Sequence, residues 1–372
     1  MSSKPKGTLW SAEPHTIAKI TILESYLTAW FQILGSTRRG QDLVYIDGFA
    51  GPGKYINYSK GSPIAALIAA NVSLSSLQNK WNAGKLYCFF IEEDRNRYDF
   101  LKKEIEGFSS NKNIVICSYQ DTFVKALKNI QKDFSFAFSN NTPLFVFIDP
   151  FGPTGVPFSV IRDILSASTS EVLINLDADG IARILKAKEK ADHEKNLNEI
   201  FGDDSWRGLL NESLSFDRLS RKMLDLYKEK LRNIKDIKYV FAFEMRTKKS
   251  SLNYFFVFAS RHPLGLEKMK EAMKKVDQSG EYCFSDASVK QDNLFRFDDI
   301  EKYATMLLSV FKSRDVSYPI INDYALVETP FINCKSMLNF LDKNDYLSVK
   351  SSDPKRRKGT FNENKILSIK FL

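Results

Sequence analysis

The sequence predicts an α/β fold: a doubly wound parallel sheet that ends in an antiparallel hairpin, followed by a smaller C-terminal module. Three observations predict it. Through the first half of the chain, short apolar runs bounded by turn residues alternate with amphipathic helical stretches. The last two strand-like runs are separated only by the short polar segment 246–252, which suits a hairpin and is too short for a crossover. Beyond about Gly280 the pattern changes to helices followed by two strands around a basic loop.

The opening helix starts at Ser11-Ala-Glu-Pro14, with Ser11 as the expected cap and an early proline. Ile17, Ile20, Leu23, Tyr26, Leu27, Trp30, Phe31 and Leu34 then recur at helical spacing, and Gly35 is expected to end the helix. Strands are predicted at 43–47, 86–92, 113–118, 143–149, 171–177, 238–245 and 253–260, with helices at 62–70, 96–107, 122–134 and 158–166 between the first five. Seven strands with a terminal antiparallel hairpin form the Rossmann-like pattern of a class I methyltransferase sheet, not that of a dinucleotide-binding dehydrogenase. The charged, helical segment 178–237 is too long for a plain crossover and is expected to cover the active site. Helical patterns at 300–311 and 330–342, with the stretch 319–327 between them, precede strands at 346–350 and 365–371 around a basic loop, which suggests a winged-helix-like module. The expected domains are therefore 1–280 and 281–372.

Composition narrows the class. A chain of 372 residues favours two domains, and 43% hydrophobic residues supply a core and argue against disorder. Lys and Arg outnumber Asp and Glu by 54 to 45, a formal charge of +9. Cys88, Cys117, Cys283 and Cys334 have no zinc, iron–sulfur or redox spacing and point to a reduced, cytoplasmic setting. Three histidines, His15, His193 and His262, argue against a multi-histidine metal site. Neither a secretory signal nor a membrane span is expected.

The densest local signal is Tyr45-Ile46-Asp47-Gly48-Phe49-Ala50-Gly51-Pro52-Gly53, an apolar strand running into a loop with three glycines. Ligands of open α/β sheets bind outside the carboxyl ends of the strands, and glycine lets the backbone approach them closely. The spacing Gly-x-x-Gly-x-Gly is neither the dinucleotide fingerprint nor a Walker loop. An ordinary strand–turn is the plainer alternative, and the density of glycine and proline favours a ligand loop. Glu92, the first acid after Phe89-Phe90-Ile91, stands where a carboxylate accepts the hydroxyls of a ribose. The long gap from Asp47 to Glu92 implies an enlarged first crossover. Asp121 either accepts from an adenine amine or caps the helix that follows.

Asp149-Pro150-Phe151-Gly152 closes the fourth strand. Methyl transfer to an exocyclic amine needs the nitrogen lone pair turned out of conjugation toward the methyl carbon. An aspartate and the carbonyl of the next proline can hold the two N–H groups while an aromatic ring stacks on the base. Asp149, Pro150 and Phe151 match those roles; a simple Pro/Gly turn is the alternative. His15 and Lys19, at the start of the first helix, suit capping, surface or substrate contacts equally. Asn175, Asp177 and Arg183 either face the substrate or serve a helix cap. Lys355, Arg356, Arg357 and Lys358 make a basic wing suited to phosphates, with solvated surface as the bland reading.

His15-Thr-x-x-Lys19, Asp47-Gly-Phe-Ala-Gly-Pro-Gly53, Gly61-Ser-Pro63, Phe90-Ile-Glu92 and Asp149-Pro-Phe-Gly152 occur in that order. With Phe201-Gly202, Trp206, Arg261-His262-Pro263 and the ending Ile369-Lys-Phe371, the chain resembles the three-Cys-motif partner (TcmP) family of bacterial proteins over nearly its whole length. The resemblance implies a methyltransferase-type Rossmann fold whose genes accompany a radical-SAM-like protein carrying a three-cysteine motif. This chain has no such cysteine cluster, as expected of the partner. The Asp-Pro-Phe-Gly box is also similar to that of tRNA guanine-N2 dimethyltransferases. More loosely it is similar to the Asp-Pro-Pro-Tyr box of amino-methylating DNA enzymes, with Phe151 in place of the second proline.

The expectation is an S-adenosylmethionine-dependent methyltransferase acting on an exocyclic amine of DNA or RNA. Gly48, Phe49, Gly51 and Gly53 admit the methionine end of the cofactor, with Asp47 near its ammonium; Glu92 holds the ribose and Asp121 reads the adenine. Asp149, Pro150, Phe151 and Gly152 orient the amine, and Lys19, Arg183 and the wing meet nucleic acid. No metal is expected, because the sulfonium is already activated. One alternative is a non-catalytic nucleic-acid- or partner-binding protein on the same fold. Another is a methyltransferase for a protein or small molecule.

Overall fold

The computed structural model describes residues 7–108, 111–187, 191–211, 214–246, 252–277, 280, 282–286 and 299–372. The chain divides into two units, 1–278 with 282–292 and 279–281 with 293–372.

In the first unit, β1 (Leu43–Asp47), β2 (Leu86–Ile91), β3 (Ile114–Tyr119), β4 (Leu144–Ile148) and β5 (Ser170–Asp177) run parallel. The hairpin strands β6 (Tyr239–Arg246) and β7 (Leu252–Ser260) follow, with β7 antiparallel to both β5 and β6. The sheet order is β3-β2-β1-β4-β5-β7-β6-β8, the predicted Rossmann-like methyltransferase arrangement with one addition. That addition is β8 (Cys283–Ser285), which pairs parallel with β6. A segment expected in the C-terminal module thus makes the sheet eight-stranded; three residues are too few to show alternation.

Helices cover both faces because the strands are buried on both. Side chains alternate across a strand. Val44, Ile46, Leu144, Val146 and Ile148 therefore join one core cluster with α4 (Phe123–Asp133), α5 (Phe158–Ser166), α6 (Ala178–Lys186) and α8 (Phe216–Arg232). On the other face Tyr45 and Phe145 stack at 6.1 Å, and Tyr26 of α1 (Pro14–Thr37) lies 5.0 Å from Phe145. Each such fully buried side chain contributes about 1.5–3 kcal/mol. The segment 178–237 is part of this body: Ile181, Leu197, Phe201, Trp206 and Tyr227 belong to the first cluster. None of its described residues lines the candidate site described below, where a covering role was expected.

Two details of α1 depart from expectation. Its N-cap is Glu13, whose side chain makes no capping bond, so Ser11 is not the cap. Instead Asp286, just beyond β8, accepts the backbone N–H of His15 at 2.8 Å, satisfying one of the donors a helix start leaves open. The helix also runs through Gly35, where a Cβ would collide with the ring of Trp81. The glycine admits an indole against the helix and does not terminate it.

The second unit contains α10 (Ile300–Phe311), β9 (Asp315–Val316), α11 (Tyr318–Glu328), α12 (Lys335–Lys343), β10 (Leu347–Ser351) and β11 (Ile366–Phe371). Its strands form an antiparallel sheet in the order β10-β11-β9. Leu307, Phe311, Ile321, Met337, Leu338 and Ile369 form a core of its own.

Candidate active site

β1 and β4 are parallel neighbours with Asp47 opposite Phe147, so the loop after β1 and the corner after β4 leave the sheet side by side. β1 lies between β2 and β4, where the winding direction of such a sheet reverses and ligands bind. A cavity of about 290 Å³ opens here, near the lower end of the ~300–1,000 Å³ usual for small-ligand clefts. Phe49, Ala50, Gly51 and Gly53 form one wall, and Asp149, Pro150, Phe151 and Gly152 another. His15 and Lys19 of α1, Asn175 of β5 and Tyr254 of β7 complete it.

The loop holds its shape through its glycines. Gly51 and Gly53 have φ of 61° and 87°, the left-handed region that other residues enter at a cost. Gly61 donates its N–H to the Gly53 carbonyl at 2.5 Å, and a Cβ on Gly61 would stand 2.5 Å from that same oxygen. Above Gly51 an added Cβ would meet only the edge of Trp10, at 3.8 Å. Gly48 does not line the cavity; its Cβ would strike the Phe123 ring at 2.7 Å, so packing explains that glycine.

Three predicted cofactor acids are placed differently from expectation. Asp47 is wholly buried and does not line the cavity. Its carboxylate accepts from the Phe49 N–H at 3.3 Å and from the hydroxyls of Ser62 and, at 3.4 Å, Tyr45. Burial pushes its pKa up to about 7, against the lowering effect of those bonds. Asp47 is a strut under the loop. Glu92 is buried too, and accepts the backbone N–H groups of Asp94, at 2.8 Å, and Gly51. Burial raises its pKa, and it clasps the loop from β2 without lining the cavity. Asp121 accepts from its neighbour Thr122 at 2.8 Å, and Thr122 holds the N-cap position of α4. It lies outside the cavity lining and is not the cap.

At the corner, Lys19 Nζ donates to both carboxylate oxygens of Asp149, at 2.8 and 2.7 Å. Lys19 is therefore the buried partner of Asp149 and not a free substrate contact. A carboxylate offers about four lone-pair directions, so Asp149 keeps acceptor capacity toward the cavity. The Phe151 ring is engaged as well: Trp10 meets it edge-on at 5.8 Å and the Arg97 guanidinium at 5.4 Å. Arg97 also lies 5.0 Å from the Trp10 ring. Trp10 and Tyr254, which line the cavity, and Arg97, packed against the Trp10 and Phe151 rings, carry no local sequence signal, since each is placed by long-range packing.

Asn175 is 4% exposed and lines the cavity, and its amide oxygen has no hydrogen-bond partner. A buried acceptor left unpaired costs about 1–3 kcal/mol, so this position calls for a donor. Asp177 takes the cap role, accepting the Gly180 N–H at 2.8 Å at the start of α6. Arg183 pairs with Asp179 on the exposed side of α6, away from the cavity.

In the second unit Arg356 pairs with Asp342, with side chains only 14% and 6% exposed, and donates to the Thr360 carbonyl at 3.0 Å. It fastens the basic loop and does not present a charge to phosphates. Lys358 pairs with Asp345 at 2.5 Å, while Lys355 and Arg357 are exposed. Among the described residues no group of three or more His, Cys, Asp or Glu could hold a metal ion, and no helix is long and apolar enough to cross a membrane.

No protein family and no curated protein sequence matches the chain. Solved structures do resemble it in chain path. Trm1 from Pyrococcus horikoshii with S-adenosyl-L-methionine matches at TM-score 0.38 and 11% identity over 73% of this chain. The match spans 61% of that longer protein, less than two thirds of its length. Cofactor-bound Rv0187 from MTB matches at TM-score 0.35 and 10% identity, over 70% of this chain and 85% of that one. An O-methyltransferase from Bacillus cereus in complex with SAH matches at 0.32 and 14%, over 64% and 80%. At such scores the likeness bears no weight in assigning chemistry to this chain.

Proposed function

We propose that the protein is an S-adenosylmethionine-dependent methyltransferase acting on an exocyclic amine of a nucleic-acid base. One observation carries the reading: the glycine loop after β1 and the Asp149–Gly152 corner after β4 wall a single cavity at the carboxyl ends of adjacent parallel strands.

The residues present fit such a donor. Backbone stands open at Gly51, the loop is locked in place by Gly61, and an unpaired amide oxygen at Asn175 awaits a hydrogen-bond donor. The Phe49–Gly53 segment would hold the methionine end. Glu92, one strand over, braces that segment from behind through the backbone N–H groups of Gly51 and Asp94. When bound, S-adenosylmethionine supplies an electrophilic methyl carbon on a positively charged sulfur. The chain's own part is orientation and electrostatics. Lys19 holds the Asp149 carboxylate in place, Asp149 and the Pro150 carbonyl accept the amine's N–H groups, and Asn175 offers a third acceptor. Trp10 and Phe151, with the buried Arg97 guanidinium packed against both rings, make an aromatic wall against which a flat base can lie.

The α10–β9–α11–α12–β10–β11 order of the second unit is that of a winged helix, with the 351–364 loop as the wing. We assign it to polymer docking through the exposed Lys355 and Arg357. The family resemblance adds a radical-SAM-like three-Cys-motif protein as a proposed partner.

The test is incubation of the purified protein with labelled methyl donor and separate pools of DNA, tRNA and rRNA. Label should enter one polymer pool and be lost in Asp149→Ala while donor binding persists. Polymer binding that Asp149→Ala leaves untouched, with no label in any pool, would favour a non-catalytic binding protein. Label in protein alone would favour a protein methyltransferase.

A further inference from the structure

We infer that His15, oriented by Asp286, is the proton acceptor of the transfer reaction; the inference rests on the methyltransferase reading of the same cavity. His15 lines that cavity, and its Nδ1 lies 2.8 Å from Asp286 Oδ2. The other carboxylate oxygen takes the His15 backbone N–H at 2.8 Å, so Asp286 grips both the main chain and the ring of one residue. The side chains are 19% and 4% exposed. An ionised carboxylate only accepts hydrogen bonds, so the ring proton sits on Nδ1 and Nε2 is left with a free lone pair. This is the orienting logic of carboxylate–histidine pairs that take protons from nucleophiles.

Capping alone does not account for the arrangement. A cap at the start of α1 needs one oxygen on a backbone N–H, whereas the second oxygen selects the imidazole tautomer. The groups facing His15 are Asp286 beyond β8, the Tyr254 ring at 5.9 Å on β7, and Lys19 one helical turn on, whose ammonium is held by Asp149. The cavity's carboxylates are Asp149, engaged by that lysine, and Glu13; His15 is the lining residue whose ring a second carboxylate orients, and so the group suited to take a proton. In the step, the acceptor nitrogen forms the new N–C bond as the carbon–sulfur bond breaks and the electron pair stays with sulfur. The proton released from that nitrogen passes to Nε2 of His15, which is partly exposed and returns it to solvent.

Nuclear magnetic resonance of protein labelled with ¹⁵N-histidine tests this, with His15→Gln identifying the His15 signals. The neutral ring should carry its proton on Nδ1, and Asp286→Asn should abolish that preference. S-adenosylhomocysteine should shift the His15 signals in the wild type. In transfer from labelled donor to bulk tRNA and sheared DNA, His15→Gln should lower turnover about 100-fold or more. Asp286→Asn should lower it less, and both variants should bind S-adenosylhomocysteine as the wild type does. A proton on Nε2, His15 signals unmoved by a product that calorimetry shows to bind, or full turnover in His15→Gln would overturn the inference and leave the methyltransferase reading standing. Absence of binding by the wild type would overturn that reading instead.

Discussion

Lys19 and Asp149, 130 residues apart, form a two-bond ion pair at the corner after β4, with side chains 10% and 25% exposed. The pair makes a lysine of the first helix answerable for the position of the acid on which the amine is expected to dock. Lys19→Met leaves that carboxylate without its partner, and the expected cost in stability is about 1–3 kcal/mol. Urea unfolding of the variant measures it; an unchanged midpoint would show that the pair contributes nothing.

Gly61→Ala tests the loop without touching its own positive-φ residues. Gly61 has φ −90°, which alanine adopts freely, so any effect comes from the added Cβ pressing on the Gly53 carbonyl. Donor affinity should fall at least tenfold and the melting temperature should drop. Wild-type affinity in this variant would mean that the close approach of Gly61 to Gly53 is irrelevant to binding.

Burial of Asp47 gives a pH signature. Its folded pKa of about 7 lies above its ordinary value of 3.8, so the folded state binds the extra proton. The stability this provides is fully present below about pH 4 and is lost as pH rises through 7. Glu92, Glu171 and Asp177 are raised by burial as well and add in the same direction. Asp47→Asn should therefore flatten, but not abolish, the decline in stability between pH 4 and pH 7. Chemical denaturation at several pH values reads it, and a slope equal to that of the wild type counts against the buried proton.

In the second unit, structural and exposed cations separate. Arg356→Ala strands Asp342 as a buried charge and should cost about 3 kcal/mol. Arg357→Ala and Lys355→Ala should change stability by less than about 0.5 kcal/mol. If the wing meets phosphates, the double variant should also lower the salt dependence of nucleic-acid binding by about 1–2 units of slope. Filter binding across a salt series compares them, and an unaltered slope would remove the wing from the interface.

What the sequence made legible follows from the range of the interactions. β1 and α5 fall at the residues their local patterns mark, because strand alternation and helical spacing are written within a few positions. The glycine loop and the Asp149 corner were likewise visible, and the parallel register of β1 with β4 joins them. β8 and β9 were not visible: three and two residues make no periodic signal, and both exist only by pairing with distant strands. Gly35 looked like a stop because the approach of Trp81, 46 positions on, leaves no local mark. Glu92 and Asp121 stood at the expected strand ends, yet nothing in a strand end says whether a carboxylate turns to a ligand or to its own backbone.

Titration calorimetry with S-adenosylhomocysteine tests the central claim most directly. Saturable, stoichiometric binding by the wild type, clearly weakened in Gly61→Ala, is the predicted result. No heat of binding up to millimolar product, from protein shown to be folded, would contradict the account.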